Sequence, residues 1–142
     1  MLAAALAVGA VNGCSRSGSS HPPATSGTGT AAMPPQHPVT LDEHAAGKVV
    51  RVHVGAPVLV RLHSTYWSTP ASSDPQILDP AGKGGSTPTG TCEPGAGCGV
   101  AAADFTARRT GTAHIFAHRN SCGEAMPCRP GQGSYTVTLE IG

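Results

Sequence analysis

Residues 50–63 read Val50-Arg51-Val52-His53-Val54-Gly55-Ala56-Pro57-Val58-Leu59-Val60-Arg61-Leu62-His63. Val50, Val52 and Val54 alternate with Arg51 and His53, and Val58, Val60 and Leu62 alternate with Leu59, Arg61 and His63. Successive side chains of a strand point to opposite faces, so this spacing predicts two half-buried strands. Gly55-Ala56 is expected to turn tightly between them as a hairpin, with Pro57 limiting how the second strand begins. The same period returns at Ala113, Ile115 and Ala117 against His114, Phe116 and His118. It returns again at Tyr135, Val137, Leu139 and Ile141 against Thr136, Thr138 and Glu140. Weaker candidates lie at 39–41, 76–78 and 101–107. About seven short strands without any sustained 3.6-residue period predict an all-β fold, an immunoglobulin-like antiparallel β-sandwich.

Composition agrees with a small, turn-rich domain. The 142 residues include 19 glycines and 13 prolines, and only 12% are charged. A formal net charge of +1 offers no basic surplus for a phosphate backbone, so nucleic acid is not an expected partner. No apolar run reaches the ~20 residues of a membrane-spanning helix. Much of the hydrophobic content is alanine, which buries little surface, so other devices must supplement the core.

The organisation reads as three segments. Residues 1–13 are apolar and lead through Val11-Asn12-Gly13 to Cys14. An apolar lead ending in a small residue before Cys resembles the signal peptide and lipobox of a bacterial lipoprotein. That resemblance implies a lipid on Cys14, an anchor in the cell membrane and an extracytoplasmic location. Asn12 stands where a small residue is usual, and no Lys or Arg precedes Arg16; a start upstream of Met1 would supply the missing charge. Residues 14–38 are rich in Ser, Gly, Thr and Pro and are expected to form a disordered tether. Such a coil would span roughly 25–30 Å root-mean-square, enough to hold a domain off a membrane. Residues 39–142 are the expected domain.

Four further cysteines form two C-x5-C pairs in Gly/Pro-rich loops: Cys92 with Cys98, and Cys122 with Cys128. Four cysteines allow three connectivities. The pairing within each loop is favoured because Pro and Gly can bring the loop ends together. Each ring would contribute about 2.4 kcal/mol in the chain-entropy model. A four-thiolate zinc site is the competing reading, but its usual spacing is shorter.

Little here suggests catalysis or metal binding. His114 and His118 share a strand face but stand about 13 Å apart, too far to ligate one ion. His53 and His63 fall toward different ends of the expected hairpin, and His21, His37 and His44 lie in or near the lead. No Gly-x-Ser-x-Gly elbow places a nucleophile. Ile77 and Gly84 break the faint phosphate-loop pattern around 80–84. A non-enzyme without cofactor or metal is expected; an extracytoplasmic metal-binding protein, using His with Met33 or Met126, is the second alternative.

The segment His63-Ser64-Thr65-Tyr66-Trp67 holds the sole Trp and one of two Tyr. If Trp67 packs inward, Tyr66 faces outward as a recognition aromatic. On that reading Trp67→Ala should cost about 3–5 kcal/mol, and Tyr66→Ala should leave the thermal midpoint nearly unchanged.

The order of these motifs resembles the chagasin-like inhibitors of papain-type cysteine proteases. Gly55 with residues 58–62 matches the family's first strand, and Tyr66-Trp67 the aromatic end of its first loop. Gly97-Cys98-Gly99 with Phe105 fits the second loop, Gly111-Thr112-Ala113 the next strand, and Arg119 the start of the third loop. Residues 135–141 match the closing strand. The resemblance covers 39–142. It implies an immunoglobulin-like fold and contact with a protease through Ser64, Thr65, Tyr66, Trp67, Gly97, Gly99 and Arg119. The family's Asn-Pro-Thr-Thr-Gly wedge is shortened here to Ser64-Thr65, Asn120 follows Arg119 in place of Pro, and both C-x5-C loops are additions.

The leading expectation is therefore a non-catalytic, lipid-anchored protein. It would present an immunoglobulin-like domain to an unidentified extracellular protein or ligand through loops at 64–75, 89–99 and 119–133. The alternative is inhibition of papain-type cysteine proteases by the same loops, weakened by the short first loop.

Overall fold

A computed structural model describes residues 36–142. The expected signal peptide, Cys14 and most of the tether lie outside the described residues. The strands are β1 (Val39–Leu41), β2 (Val49–Val52), β3 (Pro57–His63), β4 (Ala71–Ser72), β5 (Leu78–Pro80) and β6 (Gly85–Pro88). They continue with β7 (Gly99–Ala107), β8 (Gly111–His118), β9 (Ser121–Gly123), β10 (Met126–Pro127) and β11 (Ser134–Ile141). A single 3-10 turn, Glu43–Ala45, separates β1 from β2.

Two sheets face one another. The first runs β1-β3-β7-β5 with β6 also paired to β7, and the second runs β2-β11-β8-β4. Strands β9 and β10 form a small hairpin of their own. The domain is all-β and of the immunoglobulin-like sandwich kind.

Two features differ from the expectation. Strands β2 and β3 are not a hairpin: β2 lies in the second sheet and β3 in the first, so the Gly55 turn crosses between sheets. Gly55 takes φ +90° and donates its N–H to Ala107 O at 2.7 Å, fastening the crossing to the end of β7. The sheets are also mixed rather than purely antiparallel. β1 pairs parallel with β3, and β2 pairs parallel with β11, Arg51 opposite Glu140. Alternation reports which face of a strand is buried, and carries no information about its neighbour.

The inward faces follow the alternation. Val58, Val60 and Leu62 of β3 and Ala101, Ala103, Phe105 and Ala107 of β7 are buried against Ala113, Ile115 and Ala117 of β8 and Tyr135, Val137, Leu139 and Ile141 of β11. Each fully buried Val, Leu, Ile or Phe is worth about 1.5–3 kcal/mol, and the facing alanines far less. The strand expected at 76–78 begins only at Leu78. The Asp74 carboxylate accepts the N–H of Gln76 at 2.9 Å, and the Asp74 carbonyl accepts those of Ile77 and Leu78, so a turn consumes the first two residues.

Candidate functional site

Three loops meet at one end of the sandwich. β3 ends at His63 opposite Val100 near the start of β7, and β8 ends at His118 opposite Ser134 at the start of β11. Ser68 joins the two sheets here: its N–H donates to His118 O at 2.8 Å, and its hydroxyl accepts the His118 N–H at 3.0 Å. The segments after β3, before β7 and between β8 and β11 therefore share one rim, which brings together the loops singled out in the sequence.

The first loop is held by the second. Ser64 N–H donates to Gly99 O and Thr65 N–H to Gly97 O, both at 2.8 Å. The Tyr66 hydroxyl donates to Gly95 O, and the ring lies directly on Gly97. Gly97 takes φ +68°, and a Cβ there would stand 2.4 Å from a ring carbon of Tyr66, so the close approach requires glycine. Ser64 itself takes φ +121°, uncommon for a residue with a side chain, and its hydroxyl accepts the Tyr66 N–H at 3.1 Å. Tyr66 is thus half-buried against the second loop rather than free in solvent, and its removal must loosen both loops.

The third loop meets the other side of the same segment. Trp67 is 5% exposed and packs edge-to-face with Tyr135, ring centroids 6.3 Å apart. The Arg119 guanidinium lies over the indole, 4.3 Å from the ring centroid, while its Nε donates to Gln132 O at 3.2 Å. The indole N–H of Trp67 and the hydroxyl of Tyr135 are buried without a hydrogen-bond partner among the described residues. Burial pushes the Tyr135 phenol up to about 12.

Both disulfides are formed within their own loops, Cys92–Cys98 and Cys122–Cys128, with Cα atoms 5.8 and 4.8 Å apart. The first closes the loop that Tyr66 rests on. The second closes the β9–β10 hairpin. A shallow basin of about 440 Å³ lies beside the third loop, lined by His118, Arg119, Asn120, Arg129 and Ser134 among others and by no carboxylate. Another depression, lined by Arg51, His53, Thr112 and Glu140, lies at the opposite end of the strands.

One contact had no local signal in the sequence. Glu43 of the 3-10 turn accepts the backbone N–H of His63, and its carboxylate lies 3.0 Å from His63 Nδ1. It thereby clamps the residue from which the first loop departs. Its hydrogen bond and negative charge raise the pKa of His63. Partial burial works against ionisation of Glu43, but hydrogen bonds from His63 and from its own backbone, with the charge of His63, outweigh it and hold the carboxyl below its ordinary value. Asp42 is lowered by the hydrogen bonds of His44, backbone first.

His114 and His118 both lie on the exposed face of β8, and His114 Nδ1 stands 3.1 Å from Thr138 Oγ1. Among the described residues no group of three or more His, Cys, Asp or Glu is placed to hold a metal ion.

No protein-family profile matches this sequence, and no curated protein sequence does. Solved structures do. The cysteine protease inhibitor EhICP2 of Entamoeba histolytica matches with a TM-score of 0.55 at 12% identity, over 77% of this chain and 99% of that one. Amebosin, in its solution structure, matches with a TM-score of 0.50 at 14% identity, over 77% of this chain and 100% of that one. At these identities the likeness establishes a shared fold, spanning nearly all of both neighbours.

Proposed function

We propose that this chain inhibits papain-type cysteine proteases with the three-loop rim built on Tyr66 and Trp67. The supporting observation is the interlocking of the rim. The first loop is hydrogen-bonded to the second through Ser64, Thr65 and Tyr66, and it meets the third through Ser68 and the Arg119–Trp67 stack. Loops ordered before binding lose less entropy when they engage a partner. Backbone already committed to internal hydrogen bonds also resists being drawn out as an extended substrate. The similarity to EhICP2, described as a cysteine protease inhibitor, favours this reading over an unidentified extracellular ligand. Such an inhibitor blocks a cleft by shape and needs no catalytic group of its own.

The test is steady-state hydrolysis of a fluorogenic peptide by papain at increasing concentrations of the chain. The expected result is competitive inhibition that saturates. Unchanged hydrolysis at about 10 μM, where even a micromolar complex would be largely formed, overturns the reading.

We also propose that residues 1–13 are a signal peptide, that 14–38 tether the domain, and that a lipid on Cys14 anchors it outside the cytoplasm. The two disulfides suit an oxidising compartment. Cys14→Ala should move the protein from the membrane to the soluble fraction, and unchanged fractionation overturns the anchor.

A further inference from the structure

The β9–β10 hairpin has no evident part in holding the sandwich together. It pairs only with itself, and none of residues 121–128 belongs to the buried core. A lone two-stranded hairpin is marginal in water, yet this one is secured several times over. Cys122–Cys128 closes it, the Ser121 hydroxyl donates to Gly123 O at 2.8 Å, and Cys128 N–H donates to Asn120 O at 3.1 Å. Gly123 stands opposite Met126, so Glu124-Ala125 is a two-residue turn, and Ala125 takes φ +50° where glycine or asparagine is the usual choice. Among the described residues only Ser64 and Ala125 are non-glycine residues at positive φ, and both lie in loops of the same rim. Backbone held in a sparsely populated conformation concentrates at binding and catalytic sites.

What this hairpin displays is Met126. It is the most exposed large hydrophobic residue among the described residues, at 63%. Single exposed apolar residues are common on protein surfaces. Met126 is set apart by its mounting on a disulfide-closed element that adds nothing to the buried core and belongs to the third loop of the proposed contact rim. A flexible thioether chain adapts to irregular apolar pockets.

We propose that Met126 is an apolar anchor, inserted into a hydrophobic pocket on the surface of the cysteine protease beside its cleft. The anchor rests on the inhibitor reading and deepens it. The short first loop offers little apolar area of its own, and the hairpin supplies it from the third loop. Complete burial of a methionine accounts for roughly 10- to 100-fold in affinity.

The experiment compares the full chain with its Met126→Ala and Met126→Leu variants, reading the inhibition constant against papain and the thermal midpoint of each. Met126→Ala should weaken inhibition about tenfold or more with the midpoint unchanged, because the residue is largely exposed and stands outside the buried core. Met126→Leu should remain within about threefold of wild type, since it restores apolar volume. Inhibition by Met126→Ala within about twofold of an inhibitory wild type overturns the anchor and leaves the inhibitor reading standing. Equal losses in both variants, or a midpoint that falls with the inhibition, also overturn it. A wild-type chain that leaves papain untouched removes both.

Discussion

The guanidinium of Arg119 lies 4.3 Å from the centroid of the Trp67 ring, so the cation that opens the third loop is a cover for the domain's own buried indole. A stacked cation of this kind is worth about 0.5–2 kcal/mol. Arg119→Ala should lower stability by that amount, and Trp67→Ala, which empties the end of the core, by about 3–5 kcal/mol. Because Trp67 is the sole Trp, its emission reports the change directly. Arg119→Ala should shift the emission to longer wavelength, and an unshifted spectrum would mean that the stack does not shield the ring.

Tyr66 and Gly97 form a latch whose two halves can be tested separately. Tyr66→Phe removes the hydroxyl that reaches Gly95 and should cost about 0.5–1.5 kcal/mol. Gly97→Ala forces a methyl into the Tyr66 ring at a left-handed position and should cost about 1–3 kcal/mol. Thermal denaturation measures both. A midpoint unmoved by Tyr66→Ala would restore the simpler picture of an outward recognition aromatic.

The Glu43–His63 clamp ties rim stability to pH. His63 is raised above 6.5 in the folded state, so its contribution is complete below 6.5 and fades as pH rises through its folded pKa. Glu43 is lowered below 4.5, so its contribution is complete above 4.5 and fades as pH falls through its folded pKa. The pair therefore supports the fold best between 4.5 and 6.5. The gap in thermal midpoint between wild type and Glu43→Gln should be widest in that window and narrow above neutral pH. A gap independent of pH would show that the backbone hydrogen bond alone matters.

The two disulfides should differ in what they protect. Replacing Cys92 and Cys98 by Ser frees the loop beneath Tyr66 and should cost up to about 2.4 kcal/mol of global stability. Replacing Cys122 and Cys128 by Ser should fray the hairpin while the sandwich melts nearly as before, because none of the hairpin residues belongs to the buried core. Thermal midpoints and amide exchange across residues 121–128 distinguish the two, and equal midpoint losses would refute the distinction.

Much of the architecture could be read from alternation. β3, β8 and β11 carry long period-2 runs, and β1 and β7 were visible as weaker ones. β4, β6, β9 and β10 are two to four residues each and drawn mostly from Gly, Ala, Ser, Thr and Pro, so they carry no periodic pattern. Their pairing partners select them, not their own propensities. The assumed Gly55 hairpin failed for a related reason: a glycine turn between two strands looks alike whether the chain doubles back in one sheet or crosses to another. At the rim, the loop membership of Ser64, Tyr66, Gly97 and Arg119 was legible, and so was the pairing of the cysteines, because each ring is local. The resting of Tyr66 on Gly97, the stacking of Arg119 on Trp67 and the Glu43–His63 clamp were not legible. Each joins residues twenty or more positions apart, and no short spacing in the chain encodes them.

The parallel pairing of β2 with β11 sets the order in which the molecule can be assembled. Arg51 finds its partner only when Glu140 arrives, so the second sheet stays open at its β2 edge until the last strand is in place. Contacts of such separation must bear the entropy of closing most of the chain before they return any stabilisation, and they form slowly. The two disulfide rings, each bridging six positions, need none of that long-range structure. An oxidant acting on the emerging chain can therefore close both loops of the rim while the sandwich beneath them is still incomplete.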